Sequence, residues 1–359
     1  MARNILKSSN AIVAVQNSTS SFSTSNIDLN LYNTVQNCNY SVSFPRQKTK
    51  QLGSRDYAST DIFRQPDVQL NFSYIPEPKL ENELHGCFFQ ASFIRFVPMF
   101  SGYLDANTNF YVLNAPNQED DAINSIAIDG SDLDLAGWEG IAFGNCFPVS
   151  YGLSYSVDSL PVVSTSYVCS NMKYEDLTGI TMQSPAINLE NGNNDGVGLC
   201  EFNFDNGTTK PQIPNPSTTN STVNLENLQV GGQRLSGTHF IQSVEMNVRL
   251  DRVANYGFGS DFAYGRKAQL PAQGSFSVSS LVSGFDNGQM TGVLKNDSSY
   301  DFDLTLATSG DKKIIYKIED ARLNSYNYSM PVNGAMSFDA QFTFEVTDTK
   351  GLKISGSSY

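Results

Sequence analysis

The sequence predicts a mainly β protein with two tandem β-sandwich or partial-barrel domains, each with a short flanking helix. Apolar and polar residues alternate over several segments, most clearly over 274–281 and 336–346, and a period of two is typical of strands with one buried face. Helix-like periodicity is thin, and its best example is the short stretch 79–89. The two halves of the chain also resemble each other, which predicts the tandem arrangement.

The first half contains its predicted elements in the order strand, long loop, strand, helix and hairpin. A strand is expected over 39–44, and a long loop follows over 45–66. Alternation predicts the next strand over 68–75, and a short helix is expected near 80–88. Further on, a hairpin turns at Pro161 between two long alternating segments.

Composition divides the chain into four segments. An N-terminal arm over 1–30 is rich in Ser, Asn and Thr, and the first predicted domain covers 31–178. This domain includes an acidic insertion at about 117–140. Asn, Gly, Pro and Thr dominate the predicted linker over 179–235, and the second domain covers 236–359.

A shift of 206 residues aligns the start of one half with the start of the other. Residues 36–89 then lie on 242–295 without a gap, and the hydrophobic positions coincide as well. Such matched order favours a duplication over two unrelated β domains. The identical pairs are Gln36/Gln242, Val42/Val248, Arg46/Arg252, Gly53/Gly259, Ser54/Ser260, Ser73/Ser279 and Gly86/Gly292.

The ends of the halves are expected to align with a smaller shift. Ser159-Leu160-Pro161-Val162 and Ser329-Met330-Pro331-Val332 both read as turns between long strands, and a shift of 170 relates them. The first half therefore carries extra residues in its middle, and the acidic insertion accounts for most of them.

Charge and motif content argue against an enzyme. The formal net charge of −13 is unsuited to gripping nucleic acid, because phosphate binding needs a basic face. The two histidines, His85 and His239, lie far apart in the chain, and no cysteines cluster with them as zinc ligands would. The acidic segment 119–139 lacks the spacing of a calcium loop and is expected to be a solvated loop. We predict no catalytic residues, no metal and no cofactor.

The cysteines are predicted to be free thiols. The N-terminus lacks the apolar stretch of a signal peptide, and no run of 18 apolar residues predicts a membrane-spanning helix. We therefore expect the chain to stay in a reducing cytoplasm, where disulfides are rare. The cysteines are odd in number and form no CxxC pair: Cys38, Cys87, Cys146, Cys169 and Cys200.

Each half resembles the major tail tube protein of tailed bacteriophages. The resemblance rests on the order strand, long loop, strand, helix and closing hairpin. It also rests on Pro331-Val332-Asn333-Gly334, a turn that is followed by alternating aromatic residues. It covers most of the chain, about residues 31–178 and 236–359.

This resemblance implies a virion structural protein. Members of the family join their sheets edge to edge around a channel, and stacked rings form a tail tube through which genomic DNA is ejected. Two units in one chain imply a homotrimeric ring with pseudo-sixfold symmetry. The implied partners are further copies of the chain, the tape measure, tail terminator and distal tail proteins, and double-stranded DNA that passes without specific binding. The implied location is the virion tail, assembled in the host cytoplasm without a membrane.

A second class of function stays open at this point. A carbohydrate- or receptor-binding β-sandwich or jelly-roll virion module would use scattered Tyr and Asn side chains to stack on sugars and to hydrogen-bond them. Such a binder is a discrete oligomer, whereas a tube protein polymerises, so assembly distinguishes the two.

A basic loop in the first half is the candidate assembly site. Between residues 46 and 64 the basic residues outnumber Asp56 and Asp61, which gives a local charge of +3 in an acidic chain. A basic loop needs an acidic partner, and the next copy of the chain is the most abundant one. We therefore predict that it joins one ring to the next. Its basic residues are Arg46, Lys48, Lys50, Arg55 and Arg64.

Overall fold

The architecture is that of a computed structural model of the chain. Among the predicted features, the helix near 80–88, nearly all of the acidic insertion and both histidines lie outside the residues that it describes. The described residues are 11–16, 27–32, 34–62, 66–76, 97–98, 108–115, 138–157, 159–176, 181–187, 199–204, 229–230, 233–234, 240–258, 262–263, 265–282, 299–307, 313–332, 334–347 and 350–356.

Strands dominate the described part of the chain, and no helix occurs in it. The prediction of a mainly β protein is confirmed. The strands are β1 (Ala11–Gln16), β2 (Ile27–Tyr32), β3 (Val35–Ser43), β4 (Arg46–Lys50), β5 (Tyr57–Ile62), β6 (Asp67–Tyr74), β7 (Val97–Pro98), β8 (Thr108–Asn114), β9 (Glu139–Ser156), β10 (Val162–Asp176), β11 (Thr181–Gln183), β12 (Leu199–Phe204), β13 (Gln229–Val230), β14 (Gln233–Arg234), β15 (Phe240–Arg249), β16 (Arg252–Asn255), β17 (Gly265–Ala268), β18 (Ala272–Leu281), β19 (Ser299–Ala307), β20 (Lys313–Ser329), β21 (Ser337–Val346) and β22 (Leu352–Gly356).

Sixteen of these strands belong to one sheet. Its main path runs β11-β12-β2-β1-β8-β9-β15-β18-β21-β20-β22-β7, and β3, β6, β10 and β19 attach beside it. Strands β1 and β2 come from the predicted N-terminal arm, and β11 and β12 come from the predicted linker. Because β9 pairs directly with β15, the halves share one sheet. The division into two tandem domains stays a prediction.

Two groups of five strands repeat the same neighbour order. The first unit has the order β3-β6-β10-β9-β8, and every neighbouring pair in it is antiparallel. The second unit has the order β15-β18-β21-β20-β19, again with antiparallel pairs only. Strand β3 therefore corresponds to β15, β6 to β18, β10 to β21, β9 to β20 and β8 to β19.

The 206-residue shift in the sequence is also the structural shift of the first two strands. Adding 206 to the register pair Val42↔Val68 of β3 and β6 gives Val248↔Gly274, which is a register pair of β15 and β18. Both ladders have a register shift at the same place, around the identical residues Gln36 and Gln242. A β-bulge is a specified feature of a strand pair, so its repetition supports a common origin of the units.

A second irregularity is repeated where β8 meets β9 and where β19 meets β20. Asn145 and Asp320 have positive φ angles of 49° and 55°. The Asn145 backbone N–H donates to Oδ1 of Asn109 at 2.9 Å, and the Asp320 N–H donates to Oδ1 of Asp301 at 3.1 Å. Non-glycine residues rarely adopt this conformation, and Asn and Asp do so most readily. The same local solution thus occurs at corresponding positions of both units.

The closing hairpins correspond with a shift of 175, so the alignment by 170 is wrong. Leu153↔Val163 in the first hairpin corresponds to Tyr328↔Phe338 in the second. The matched tetrapeptides therefore occupy different places: Val162 begins β10, whereas Val332 lies in the exposed turn. Cross-strand packing fixes the register, and a four-residue likeness in a turn does not.

The two units have the same aromatic contact at their centres. Phe110 of β8 packs edge-on against Tyr167 of β10 with ring centroids 4.8 Å apart, and Phe302 of β19 does so against Phe342 of β21 at 4.7 Å. A third strand separates the partners in each unit, so each unit curls around its core. The hydrophobic core is continuous between the units.

One core position differs between the units in a compensating way. Val68 faces Cys169 in the first unit, whereas Gly274 faces Phe344 in the second. A Cβ atom added at Gly274 would collide with the Phe344 ring, which is buried. The large Phe344 ring in the second unit thus lies against a residue without a side chain, whereas Val68 faces the smaller Cys169 in the first.

We expect Gly274→Val to lower the free energy of unfolding by about 1–3 kcal/mol, because the new side chain overpacks the core against Phe344. The double variant Gly274→Val/Phe344→Cys supplies the residue types of the Val68/Cys169 pair and should recover part of that loss, although Ala321 stands where Cys169 has its disulfide partner Cys146. Phe344→Cys alone should leave a cavity and destabilise the chain by about 2–4 kcal/mol. Urea unfolding of the three variants measures this, and a double variant no more stable than Gly274→Val would contradict the correspondence.

Two of the cysteines form a disulfide, so the prediction of five free thiols is wrong for them. Cys146 and Cys169 face each other in the β9–β10 ladder and are bonded. Their spacing in the sequence does not reveal this pairing, because it depends on the hairpin register. Cys38 is a free, half-buried thiol, and burial raises its pKa to about 11. Cys87 and the side chain of Cys200 lie outside the described residues.

Candidate assembly edges

The two units meet edge to edge through β9 and β15. Seven residue pairs, between 150–156 of β9 and 243–249 of β15, form what we call the internal junction. Strand β10 occupies one edge of β9, so β8 and β15 share the other edge, β8 over its first part and β15 over its last part. Strand β15 thus extends the first unit's sheet with a strand of the second.

Backbone hydrogen bonds at both ends of the internal junction show which residues direct their N–H and C=O groups across it. The Val157 N–H donates to the Gln242 carbonyl oxygen at 2.8 Å, and the Leu250 N–H donates to the Val149 carbonyl oxygen at 2.8 Å. Hydrogen-bonded pairs alternate with non-hydrogen-bonded pairs along an antiparallel ladder. Odd-numbered residues of β9 and even-numbered residues of β15 therefore direct their N–H and C=O groups into the junction.

Apolar side chains from both strands are buried at the internal junction. Tyr151 and Leu153 of β9 and Met246 and Val248 of β15 are all buried. The Tyr151 hydroxyl lies 2.9 Å from the hydroxyl of Tyr316 in β20, and this hydrogen bond is also buried. The junction is therefore part of the hydrophobic core.

Arg252 fastens the second unit to the first beside the internal junction. Its Nε–H donates to the Pro148 carbonyl oxygen at 2.6 Å, and its Nη1 donates to the Arg266 carbonyl oxygen at 2.8 Å. Its guanidinium also lies 5.4 Å from the centre of the Phe147 ring. Hydrogen bonds from a charged donor are about twice as strong as neutral ones, which makes Arg252 a strong tie between the units.

The two strands that correspond to β9 and β15 each have an open edge in the described part of the chain. Strand β3 corresponds to β15, and β6 is the one described strand that pairs with it. We call its other side the β3 edge. Strand β20 corresponds to β9. Its side opposite β21, over Ser325, Tyr326 and Asn327, has no neighbour among the described strands, and we call it the β20 edge.

Apolar residues at the two edges are exposed where their counterparts at the internal junction are buried. Each edge therefore presents to solvent apolar side chains at positions whose counterparts are covered. The exposed fractions are 39% for Tyr40 against 0% for Met246, 54% for Phe44 against 1% for Leu250, and 51% for Tyr326 against 0% for Tyr151.

Tyr40 is held in place at the β3 edge by Tyr174 of β10. Their hydroxyl oxygens lie 2.8 Å apart, and the Tyr40 ring also contacts the ring of Phe143 at a centroid distance of 5.5 Å. The hydrogen bond to Tyr40 raises the pKa of Tyr174 to about 12. The Tyr174 hydroxyl is neutral near pH 7, as an ordinary tyrosine is, so it places no charge beside this apolar edge.

The predicted basic loop is a two-stranded hairpin made of β4 and β5. Arg46, Lys48 and Lys50 lie on β4 and Arg55 lies at the tip, and all four are exposed. The ammonium groups of Lys48 and Lys50 lie 4.9 and 5.3 Å from the centre of the Tyr57 ring, so the structure brings these two lysines together. Arg64 lies outside the described residues.

The corresponding hairpin of the second unit contacts a neighbouring unit through its arginine, and the β4–β5 hairpin has no such contact among the described residues. The pairing of β16 with β17 matches that of β4 with β5 when 206 is added to each residue number, since Arg46↔Ile62 becomes Arg252↔Ala268. Arg252 is half-buried against the first unit, whereas Arg46 is exposed. Sequence reasoning placed Arg46 in the assembly site but missed the β3 and β20 edges, although the Arg46/Arg252 identity was a signal of them.

Comparisons with known proteins add no identity to this geometry. The chain matches no protein-family model and no curated protein. Within the described ranges, no helix is long and apolar enough to cross a membrane. The same ranges contain no group of three or more His, Cys, Asp or Glu side chains that could hold a metal ion.

Proposed function

We propose that this chain is a virion structural protein that assembles into rings, and that the rings stack into a phage tail tube. The chain would then be built from two tandem tail-tube-like units. Copies of the chain join edge to edge around a channel, and genomic double-stranded DNA passes through the channel during ejection.

The internal junction is the observation that carries this proposal. It joins one unit to a corresponding unit through strand edges, and the corresponding edges of β3 and β20 have no neighbour among the described strands. A head-to-tail contact of this kind repeats from copy to copy, and it closes into a ring when the rotation between copies permits. Unpaired, partly apolar edges are a liability that such closure removes.

Three chains per ring follow from the repeat, because two units per chain give a pseudo-sixfold ring of the kind that the resemblance implies. The charge of the chain fits a conduit for DNA. With a formal charge of −13, a ring of these chains presents an acidic surface that repels phosphates, so the duplex slides without specific binding.

The charge of the β4–β5 hairpin supports its role between rings. Reversing Lys48, Lys50 and Arg55 to Glu should leave rings folded and soluble while stopping or slowing tube growth, because these exposed cations face the acidic surface of the next ring. The matched variant with Gln at the same three positions should slow growth less. Light scattering follows assembly, and unchanged growth and tube length in the Glu variant would refute an inter-ring role.

Negative-stain microscopy of the purified full-length chain tests the proposal itself. Hollow cylinders built of stacked rings are the expected result. A population of discrete oligomers that never elongates would contradict it and would favour the carbohydrate- or receptor-binding module, which glycan binding would then test directly.

A further inference from the structure

The internal junction supplies a template for how one chain meets the next. Resting on the proposed function, we infer that β3 of one copy pairs antiparallel with β20 of the neighbouring copy in one register, with Ser41 facing Asn327 and Val42 facing Tyr326. Arg46 then closes this contact by donating to the Leu323 carbonyl oxygen of the neighbour. This fixes the residues of the chain-to-chain contact and separates Arg46 from the inter-ring role of the other loop cations.

The register follows from the correspondence between the units. At the internal junction Asn247 faces Gly152. Residue 247 corresponds to Ser41 by the shift of 206, and residue 152 corresponds to Asn327 by the shift of 175. Both shifts are fixed by cross-strand registers and by bulges that recur at the same places, so the translated pairing has no free parameter.

The side chains on the two edges suit this pairing on both faces. The outward face brings together small uncharged residues, with Ser41 and Ser43 opposite Asn327 and Ser325, all of which are exposed in the single chain. The inward face brings the half-buried Val42 against Tyr326, whose counterparts Val248 and Tyr151 are buried at the internal junction. Polar therefore meets polar, and apolar meets apolar.

The backbone N–H and C=O groups of the two edges also face each other in this register. The corresponding bonds would run from the Val332 N–H to the Gln36 carbonyl oxygen and from the Phe44 N–H to the Asn324 carbonyl oxygen. Even-numbered residues on both edges then direct their N–H and C=O groups toward the neighbouring copy. The backbone groups on the opposite side of each strand remain bonded to β6 and β21. No existing ladder has to break when copies join.

Arg46 has the position at this contact that Arg252 has at the internal junction. The carbonyl that Arg252 reaches belongs to Pro148, which faces Tyr167, and its counterpart Leu323 faces Phe342. A register shift follows at the same place in both strands and allows the carbonyl to turn outward. The aromatic contact is not repeated, since Arg322 replaces Phe147, so the Arg46 contact relies on the carbonyl oxygen.

Disulfide trapping reads the register directly. In a Cys38→Ser background, which removes the native thiol on the β3 edge, Ser41→Cys is combined with Asn327→Cys, Ser325→Cys or Ser329→Cys. In the inferred register residues 41 and 327 form a non-hydrogen-bonded pair, whose Cα atoms lie about 4.5 Å apart, within disulfide range. The other two combinations are displaced by two residues, roughly 6.7 Å along the strand, and lie beyond that range.

After oxidation of assembled protein with copper phenanthroline, a non-reducing gel should show covalent oligomers with Asn327→Cys and almost none with the two displaced partners. The ladder of bands should end at the number of chains in the ring, which is three for the proposed ring. Equal or stronger cross-linking in a displaced pair overturns the inferred register.

Failure of the inference and failure of the proposed function give different results. If microscopy shows rings but none of the three combinations cross-links, the chains join elsewhere, and the inference is wrong while ring assembly stands. If no rings form and none of the combinations cross-links, both are wrong. Val42→Pro in the Asn327→Cys combination should abolish the cross-links if they arise from the paired edges and not from random collision.

Discussion

Arg252→Ala should lower the free energy of unfolding of the chain by about 2–3 kcal/mol, whereas Arg46→Ala should leave it unchanged. Arg252 donates two charged hydrogen bonds to carbonyl oxygens that are part-buried, and its loss leaves both acceptors without that donor. Arg46 is exposed in the single chain, and no contact of its side chain in the described residues contributes to folding.

The two arginine variants should also differ in ring assembly. Arg46→Ala removes one charged hydrogen bond from every contact between chains, which at about 1.4 kcal/mol raises the concentration needed for ring formation roughly tenfold. Urea unfolding measures the first effect, and sedimentation over a dilution series measures the second. Equal loss of stability in both variants would show that Arg46 already serves the fold of the isolated chain.

Val42→Pro should give a folded chain that forms no rings. Residue 42 corresponds to Val248, which directs its N–H into the internal junction, so proline at this place removes a donor from the β3 edge and not from the β3–β6 ladder. The proline ring also obstructs the approach of a partner strand. Loss of one bond at each contact, together with this obstruction, prevents closure of the ring.

Val42→Thr is the matched control for the proline variant. It keeps the β-branched shape and the backbone N–H, so rings should still form. Circular dichroism and thermal unfolding check that both variants are folded, and size-exclusion chromatography reports their assembly. Rings of normal size from folded Val42→Pro would rule out strand pairing at the β3 edge.

Period-two alternation predicted the strands well where one face is buried. The segments that contain Leu70 and Phe276 alternate because each strand packs one face on the core, and they are β6 and β18 in the structure. The sequence predicts a loop where the β4–β5 hairpin lies, since almost all residues of the hairpin are exposed and no hydrophobic alternation marks it. Hydrophobic alternation therefore predicts a strand only where one face of that strand is buried.

Register was the property that the sequence predicted least. The Cys146–Cys169 disulfide and the 175-residue shift of the hairpins both depend on which residues face each other across strands. Bulges move that register by a residue, and a bulge at a position such as Val149 or Asn324 leaves no reliable mark in the sequence. The identity of short turn sequences was therefore misleading.

Apart from the Arg46/Arg252 identity, the sequence carries no mark of the candidate edges, for a related reason. Tyr326 and Tyr151 are the same residue type in corresponding strands, and one is exposed while the other is buried. What differs is the presence of a neighbouring strand, and this is a property of the assembly and not of the local sequence. Only the comparison of the two units reveals which strands lack a neighbour.

Hydrogen–deuterium exchange of the wild-type chain, above and below its assembly concentration, is the most direct measurement of whether copies join through these edges. Peptides that cover 37–43 and 324–332 should exchange more slowly in the assembled protein, because their outward N–H groups become hydrogen-bonded. Residues 243–249 already pair on both sides and should not change. If both edge segments exchange equally fast in assembled and unassembled protein, the chains do not join through the β3 and β20 edges.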